Sequence, residues 1–165
     1  MPGADEQTDV VVIGAGPAGL AVGACLRRAG VGFVILEREA TVGSSWRRHY
    51  DRLHLHTDRG HSSLPYLPLP RDAPRYPSRD QVVAYLEAYA RAFELSPRCH
   101  EEVTRARARD GGWDVETARA RYLARAVVVA TGACAVPASR TRSDARSRDP
   151  EGLWTAGNET PHRVR

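Results

Sequence analysis

A glycine-rich stretch near the start of the sequence, GAGPAG, has the residue types needed to hold a phosphate group. Gly14, Gly16 and Gly19 fit the pattern G-x-G-x-x-G, with Pro17 and Ala18 between the last two glycines. Glycines at these positions permit a tight turn, a close approach of the backbone to a diphosphate, and close packing of a helix on a strand. The first turn of the helix that follows would offer unpaired N–H groups to the same phosphate.

An acidic residue completes this pattern. Glu37 lies 23 residues after Gly14, near the spacing at which a carboxylate accepts hydrogen bonds from ribose hydroxyls. A carboxylate at that point disfavours a 2′-phosphate, so the pattern predicts FAD or NAD rather than NADP as the bound nucleotide. The alternative is a plain turn between strand and helix with no ligand, and the flanking elements favour the nucleotide.

Those flanking elements are two short apolar runs and a helix. Residues 10–13 read VVVI and residues 33–36 read FVIL, which is typical of strands buried in a parallel sheet, and a helix is predicted over 20–29 between them. A further buried strand, 126–130, leads directly into Thr131-Gly132, where the backbone could approach a ligand at the carboxyl ends of the strands. We therefore predict an α/β fold, a Rossmann-like FAD-binding domain with a parallel sheet.

Between residues 52 and 126 the sequence predicts a proline-rich connection, a second helix and several short strands. Five prolines between 64 and 77 exclude a helix and a central strand, so this segment is predicted to be an extended connection over the surface. An amphipathic helix is predicted over 81–93, with Ser78 or Asp80 as its N-cap. The other predicted elements are a half-exposed strand at 52–57 and a β-meander insertion of strands 103–108, 113–117 and 122–126.

Two further positions could line a pocket. Trp46 stands in a predicted loop that is marked by residues 43–45. It either plugs the edge of the core or packs beside a flat ring system, with an arginine reaching a phosphate. His54 and His56 would share one face of the predicted strand and could bind a metal, but no third ligand is obvious, and His61 is a candidate only by its proximity in the sequence. Polar lining of a cofactor or substrate pocket is the favoured interpretation, and no metal site is predicted.

Composition narrows the class of protein. A chain of 165 residues suits one domain, and its 24 basic residues, all arginine, alternate with 20 acidic ones, so no nucleic-acid interface is predicted. No apolar stretch is long enough to span a membrane, and no basic cluster precedes an apolar run at the N-terminus. The three cysteines are widely separated and are expected to be small buried side chains in a cytoplasmic protein.

Five stretches, in order, resemble the flavin-containing monooxygenases, most closely the plant YUCCA-type enzymes and their bacterial relatives. The stretches are GAGPAGLAVGACLRRAGVGFVILER, GSSWRRHYDRLHLHT, LPYLPLP, YPSRDQVVAYLEAYA and VVVATG, and they lie between Asp9 and Pro137. The resemblance implies FAD bound at the three motif glycines and Glu37, with contacts from the Arg38, Trp46 and Arg47 region and from Thr131-Gly132. In such enzymes NADPH reduces the flavin, and dioxygen supplies an oxygen atom to a small molecule. No catalytic residue is assigned, since the reactive centre belongs to the cofactor.

The sequence departs from this family after residue 137. The family continues into F-x-G-x-x-x-H and a second G-x-G-x-x-G, and neither is present here. We therefore expect an FAD-binding domain at 1–137, a linker at 138–150, and a short segment at 151–165 that completes the FAD domain, without an NADPH-binding domain. The sequence also allows two other hypotheses for the function: a non-catalytic FAD-binding remnant, and an enzyme that binds NAD at the first motif. Self-association, or a partner that supplies reducing equivalents, is also expected.

Overall fold

The computed structural model describes residues 5–132, which form one five-stranded sheet with helices packed against it. The sheet order is β2-β1-β5-β4-β3. The elements are β1 (Asp5–Ile13), α1 (Pro17–Arg28), β2 (Phe33–Leu36), α2 (Ser44–Arg47), α3 (Arg79–Ala92), β3 (Val103–Arg109), β4 (Gly112–Thr117) and β5 (Arg121–Val129). The predicted boundary at 137, the linker at 138–150, the segment at 151–165 and Cys134 lie outside the described residues.

The parallel part of the sheet confirms the predicted α/β fold class. β1 pairs in parallel with β2 on one side and with β5 on the other. Val11 and Val12 of β1 have no exposed surface, as expected for a strand covered on both faces. α1 buries Leu20 and Ala24 in the core on one face of the sheet. This arrangement gathers the carboxyl ends of β2, β1 and β5 at one edge.

The antiparallel part contains the predicted β-meander, formed by β3, β4 and β5, but its last strand is longer than predicted. The strands predicted at 122–126 and 126–130 are one continuous strand, β5, which pairs with β4 over 121–124 and with β1 along most of its length. The predicted meander therefore shares its last strand with the parallel part of the same sheet. Among the described residues, β5 beyond 124 has a strand on its β1 side only, and Val129 is 55% exposed.

Some local predictions were wrong. The first helix begins at Pro17 and not at residue 20, because proline is well tolerated at the first helical position. Residues 44–47 form the short helix α2 instead of a loop, after Gly43 in a left-handed conformation. Residues 52–57 form no strand, although His54 makes a single bridge to Ser78; their polar–apolar alternation reflects an extended segment with Leu53 and Leu55 half-buried.

The proline-rich segment and the second long helix agree with the sequence. Residues 64–77 contain no helix or strand, and their only bridge joins Leu64 to Leu67. Ser78 is the N-cap of α3 and forms a capping box with Gln81, whose side chain accepts the Ser78 N–H at 2.9 Å. The longest helix within residues 5–132 is α3 with 14 residues, so no helix there could cross a membrane.

An ion pair in the meander predicts how stability depends on pH. Asp114 is nearly buried and accepts a hydrogen bond from Arg121 Nε at 2.8 Å, which lowers the pKa of Asp114 below its usual 3.8. A carboxylate with a lowered pKa in the folded state adds stability above its unfolded pKa and loses it as pH falls through the folded pKa. We therefore expect the urea concentration at the unfolding midpoint to decrease when the pH is lowered below about 4. This decrease should be smaller in Asp114→Asn than in the wild type. An identical acid slope in that variant would contradict this assignment.

Candidate functional site

Three parallel strand ends meet at Gly14, where the chain leaves β1. The Gly14 N–H donates to the Leu36 carbonyl at 2.8 Å, and the Ala130 N–H donates to the Ile13 carbonyl at 2.8 Å. Gly14 has a φ of +105°, and a Cβ at this residue would lie 2.5 Å from the Ala130 carbonyl oxygen. Only glycine fits both the conformation and the space, so the turn needs it. Thr131 and Gly132, both exposed, follow directly beside this turn.

The other two motif glycines have different surroundings. A Cβ at Gly19 would lie 1.9 Å from the Gly14 carbonyl oxygen, so this residue lets α1 pack directly on the turn. A Cβ at Gly16 would meet no atom within 4 Å, and the φ of −77° at this residue is open to any amino acid. Nothing in the described protein therefore requires glycine at position 16. A ligand lying against this backbone would require it.

The N-terminus of α1 provides charge for such a ligand. Gly16 is the N-cap, Pro17 follows at the start of the helix, and Ala18 is exposed. In the described residues no side chain caps this helix and no acid stands in its first turn. The unpaired N–H groups and the positive end of the helix dipole are thus available to an anion. The residues present fit the diphosphate of a dinucleotide.

Glu37 lies beside the same turn and is held by two backbone groups. The Ala15 N–H donates to Glu37 Oε2 at 2.7 Å, and the Glu39 N–H donates to Oε1 at 3.0 Å. Each carboxylate oxygen keeps a further lone pair for a hydroxyl donor. The Ala15 contact is a part of the site that the sequence did not predict, because it depends on how the turn folds back on the end of β2.

The remaining predicted site residues make other contacts. Trp46 is half-buried against the main core and stacks edge-on with His49, at 5.6 Å between ring centres, which agrees with a plug at the core edge. Arg47 pairs with Glu87 of α3, and Arg38 is exposed with Glu39 3.4 Å from its Nε. His54 is exposed, with Nδ1 2.9 Å from the Arg52 carbonyl. The structure brings together the motif glycines, Glu37 and the 130–132 backbone. The contacts described for the four remaining residues do not join them to this group.

Two cysteines differ from the expectation of buried side chains. Cys25 is exposed on α1, and Cys99 is half-buried. Burial raises the pKa of the Cys99 thiol, and the negative charge of Glu37 raises it further. Cys99 follows Arg98, whose carbonyl accepts a hydrogen bond from the Glu37 N–H, a position that its sequence spacing did not indicate. Across residues 5–132 no group of three histidine, cysteine or acidic side chains is arranged to hold a metal ion.

The chain is similar to known proteins over most of its length. The family described as Pyridine nucleotide-disulphide oxidoreductase matches residues 11–143. An indole-3-pyruvate monooxygenase, YUCCA1 of Oryza sativa subsp. japonica, is 48% identical over 131 residues, which are 77% of this chain and 32% of the relative. The probable indole-3-pyruvate monooxygenase YUCCA8 of Arabidopsis thaliana is 44% identical over 133 residues, 74% of this chain and 31% of the relative. The chain thus spans about a third of the length of these relatives.

The chain also superimposes on solved structures of flavin-containing and steroid monooxygenases. A flavin-containing monooxygenase from Stenotrophomonas maltophilia superimposes with a TM-score of 0.72 at 39% identity, covering 77% of this chain and 39% of the other. A steroid monooxygenase bound to NADP superimposes with a TM-score of 0.70 at 31% identity, covering 76% of this chain and 26% of the other. The shared part in each case is under half of the other protein.

Proposed function

Because the chain belongs to the pyridine nucleotide-disulphide oxidoreductase family, we propose that it binds FAD at the site around Gly14 and forms the FAD-binding part of a flavin-dependent monooxygenase. The observation that carries this proposal is the combination at one sheet edge of an uncapped helix N-terminus, open space at Gly16, and the Glu37 carboxylate. The FAD-binding domain is proposed to extend over 1–137, followed by a linker at 138–150 and a completing segment at 151–165.

Each group in the site has a separate task. The N–H groups at the start of α1 would hold the diphosphate, and Gly16 would let the backbone approach it. Glu37 would accept hydrogen bonds from the ribose hydroxyls of the adenosine half. The exposed Thr131-Gly132 backbone beside Gly14 supports a contact further along the ligand. Arg38, Trp46, Arg47 and His54 are kept as proposed contacts on the resemblance alone.

The flavin would supply the redox and oxygen-transfer chemistry, while the protein binds and orients it. Oxygenation of a small molecule is proposed because the similar proteins are named as monooxygenases. NADPH is the reductant proposed for that reaction, yet the sequence contains no second G-x-G-x-x-G. The second candidate applies to these 165 residues taken alone, which span about a third of the length of the relatives: an FAD-binding unit without catalysis of its own, or one that receives electrons from a partner.

The absorbance spectrum of the purified 165-residue protein tests both candidates. We expect a yellow protein whose released cofactor is FAD, bleached by dithionite and bleached little by NADPH, because no second dinucleotide motif is present. A folded protein that stays colourless in excess FAD would contradict the proposed site. Rapid bleaching by NADPH would instead contradict the non-catalytic candidate and support an oxidoreductase.

Partners and location are further proposals. Self-association is proposed through β5, since its edge beyond 124 lacks a strand on one side within the described residues and Val129 is exposed. Sedimentation velocity measures this directly. A cytoplasmic location is proposed on the free thiols of Cys25 and Cys99, which suit a reducing compartment.

A further inference from the structure

A segment on the far side of β2 holds the backbone of Glu37. We call residues 98–101 the flanking segment. The Arg98 N–H donates to the Ile35 carbonyl at 2.8 Å, and the Glu37 N–H donates to the Arg98 carbonyl at 2.9 Å. The Glu101 N–H then donates to the Glu37 carbonyl at 2.8 Å. Both backbone polar groups of Glu37 are therefore bonded to the flanking segment, which continues the sheet beyond β2.

The flanking segment is in turn fixed by a side-chain network centred on Arg98. Its guanidinium donates to both carboxylate oxygens of Glu6, at 2.6 and 2.7 Å, and to the hydroxyl of Tyr122 at 2.9 Å. The Tyr122 hydroxyl donates to Glu101 Oε1 at 2.5 Å, and the Thr117 hydroxyl donates to the same oxygen at 3.1 Å. The network thus ties the segment to three strands, β1, β4 and β5.

This network has the properties of a rigid support. Tyr122 is fully buried and Glu101 is 7% exposed, so their polar atoms depend on each other for hydrogen bonds. The bidentate pair between Arg98 and Glu6 fixes the guanidinium in one plane, which a lysine would not do. The sequence separation is large, since Arg98 lies 92 positions from Glu6, so this support exists only in the folded chain.

We propose that Arg98 is a positioning residue: through the flanking segment it sets the place of the Glu37 carboxylate, and thereby the recognition of the ribose hydroxyls of an adenine nucleotide. The inference rests on the proposed function, because it requires the nucleotide to lie against Glu37. It goes beyond that function because Arg98, which is not part of the proposed binding surface, is given a role in ribose recognition through Glu37. The exposed side of the Glu37 carboxylate then works as a fixed acceptor, and not as a mobile side chain.

The test compares ADP with 2′-deoxy-ADP as competitors for FAD on the flavin-free protein. A hydroxyl bonded to a carboxylate makes the wild type prefer ADP by about 10-fold or more. In Arg98→Ala we expect this preference to fall to about 2-fold, as in Glu37→Ala, with an intermediate value in Arg98→Lys. The double variant of Glu37 and Arg98 should lose nothing further, because both changes remove the same contact.

Arg121→Ala is the matched control. Arg121 also holds a nearly buried carboxylate, that of Asp114, but it makes no contact with the flanking segment in the described structure. The control should lose stability while keeping the preference for ADP. Equal weakening of ADP and 2′-deoxy-ADP by Arg98→Ala would overturn the proposal, since a purely structural role affects both ligands alike.

Two further outcomes are decisive. If Arg98→Ala does not fold, Tyr122→Phe removes the hydroxyl that joins Arg98 to Glu101 and keeps the buried ring; an unchanged preference for ADP there overturns the proposal, and a reduced one supports it. A wild type that binds neither FAD nor ADP would overturn the proposed function itself. A wild type that binds ADP without preferring it over 2′-deoxy-ADP would overturn only the present inference.

Discussion

Replacing Gly16 with valine is expected to abolish flavin retention and leave the fold intact. The backbone at Gly16 is extended, and among the described residues a Cβ there has no non-neighbouring atom within 4 Å, so we expect the apoprotein to tolerate a side chain at this position. Its branched side chain would occupy the space in which the diphosphate is proposed to lie. If the diphosphate loses two hydrogen bonds from the backbone N–H groups at the start of α1, binding weakens by about 100-fold or more, because each bond is made to a charged group. The measurement is the ratio of flavin to protein absorbance after purification, with a titration of added FAD.

Two comparisons make this result specific. Ala84→Val places the same side chain on an exposed position of α3, away from the site, and should leave the flavin content unchanged. Gly16→Ala adds one methyl group and should weaken binding less than valine does. If the valine variant retained the wild-type flavin content, the diphosphate would not lie against Gly16, and the proposed site would be contradicted.

Replacing Gly19 with alanine is expected to destabilise the fold itself. The added methyl carbon would lie 1.9 Å from the Gly14 carbonyl oxygen, which belongs to the backbone of the turn and cannot rotate away. α1 would have to move off the sheet, or the turn would have to open. Overpacking of this kind costs about 3 kcal/mol, partly offset by about 1 kcal/mol of better helix propensity. Urea denaturation of the flavin-free protein measures the difference.

Gly16→Ala is the matched control for this second prediction, because the same methyl group enters open space three residues earlier. It should change the urea midpoint little. The two variants are expected to separate the roles of two glycines in one motif, position 19 in the fold and position 16 in the proposed binding of the ligand. A Gly19→Ala variant as stable as the control would mean that α1 adjusts its packing at little cost.

Much of the parallel sheet could be predicted from sequence because its signals are local. The apolar runs at 10–13 and 33–36, and the glycine motif between them, lie within 30 residues and specify strand, turn and helix by residue type alone. The boundaries were less accurate. Residue pattern alone does not place the start of α1 at Pro17, and it divides β5 in two. β5 lies between β4 and β1 up to residue 124 and pairs with β1 alone beyond it, so its two halves show different hydrophobic patterns.

The site divides in the same way. Residue types and spacing predict the motif glycines and Glu37 as site residues, since turn conformation, backbone access and carboxylate chemistry are properties of single residues, and the structure places these residues beside one another. Only the tertiary structure decided that the Ala15 N–H reaches Glu37, that Arg47 pairs with Glu87, and that Arg98 supports the end of β2 through Glu6 and Tyr122. These contacts join residues from 22 to 92 positions apart. Their geometry is set by the packing of the strands against one another, which no local pattern encodes.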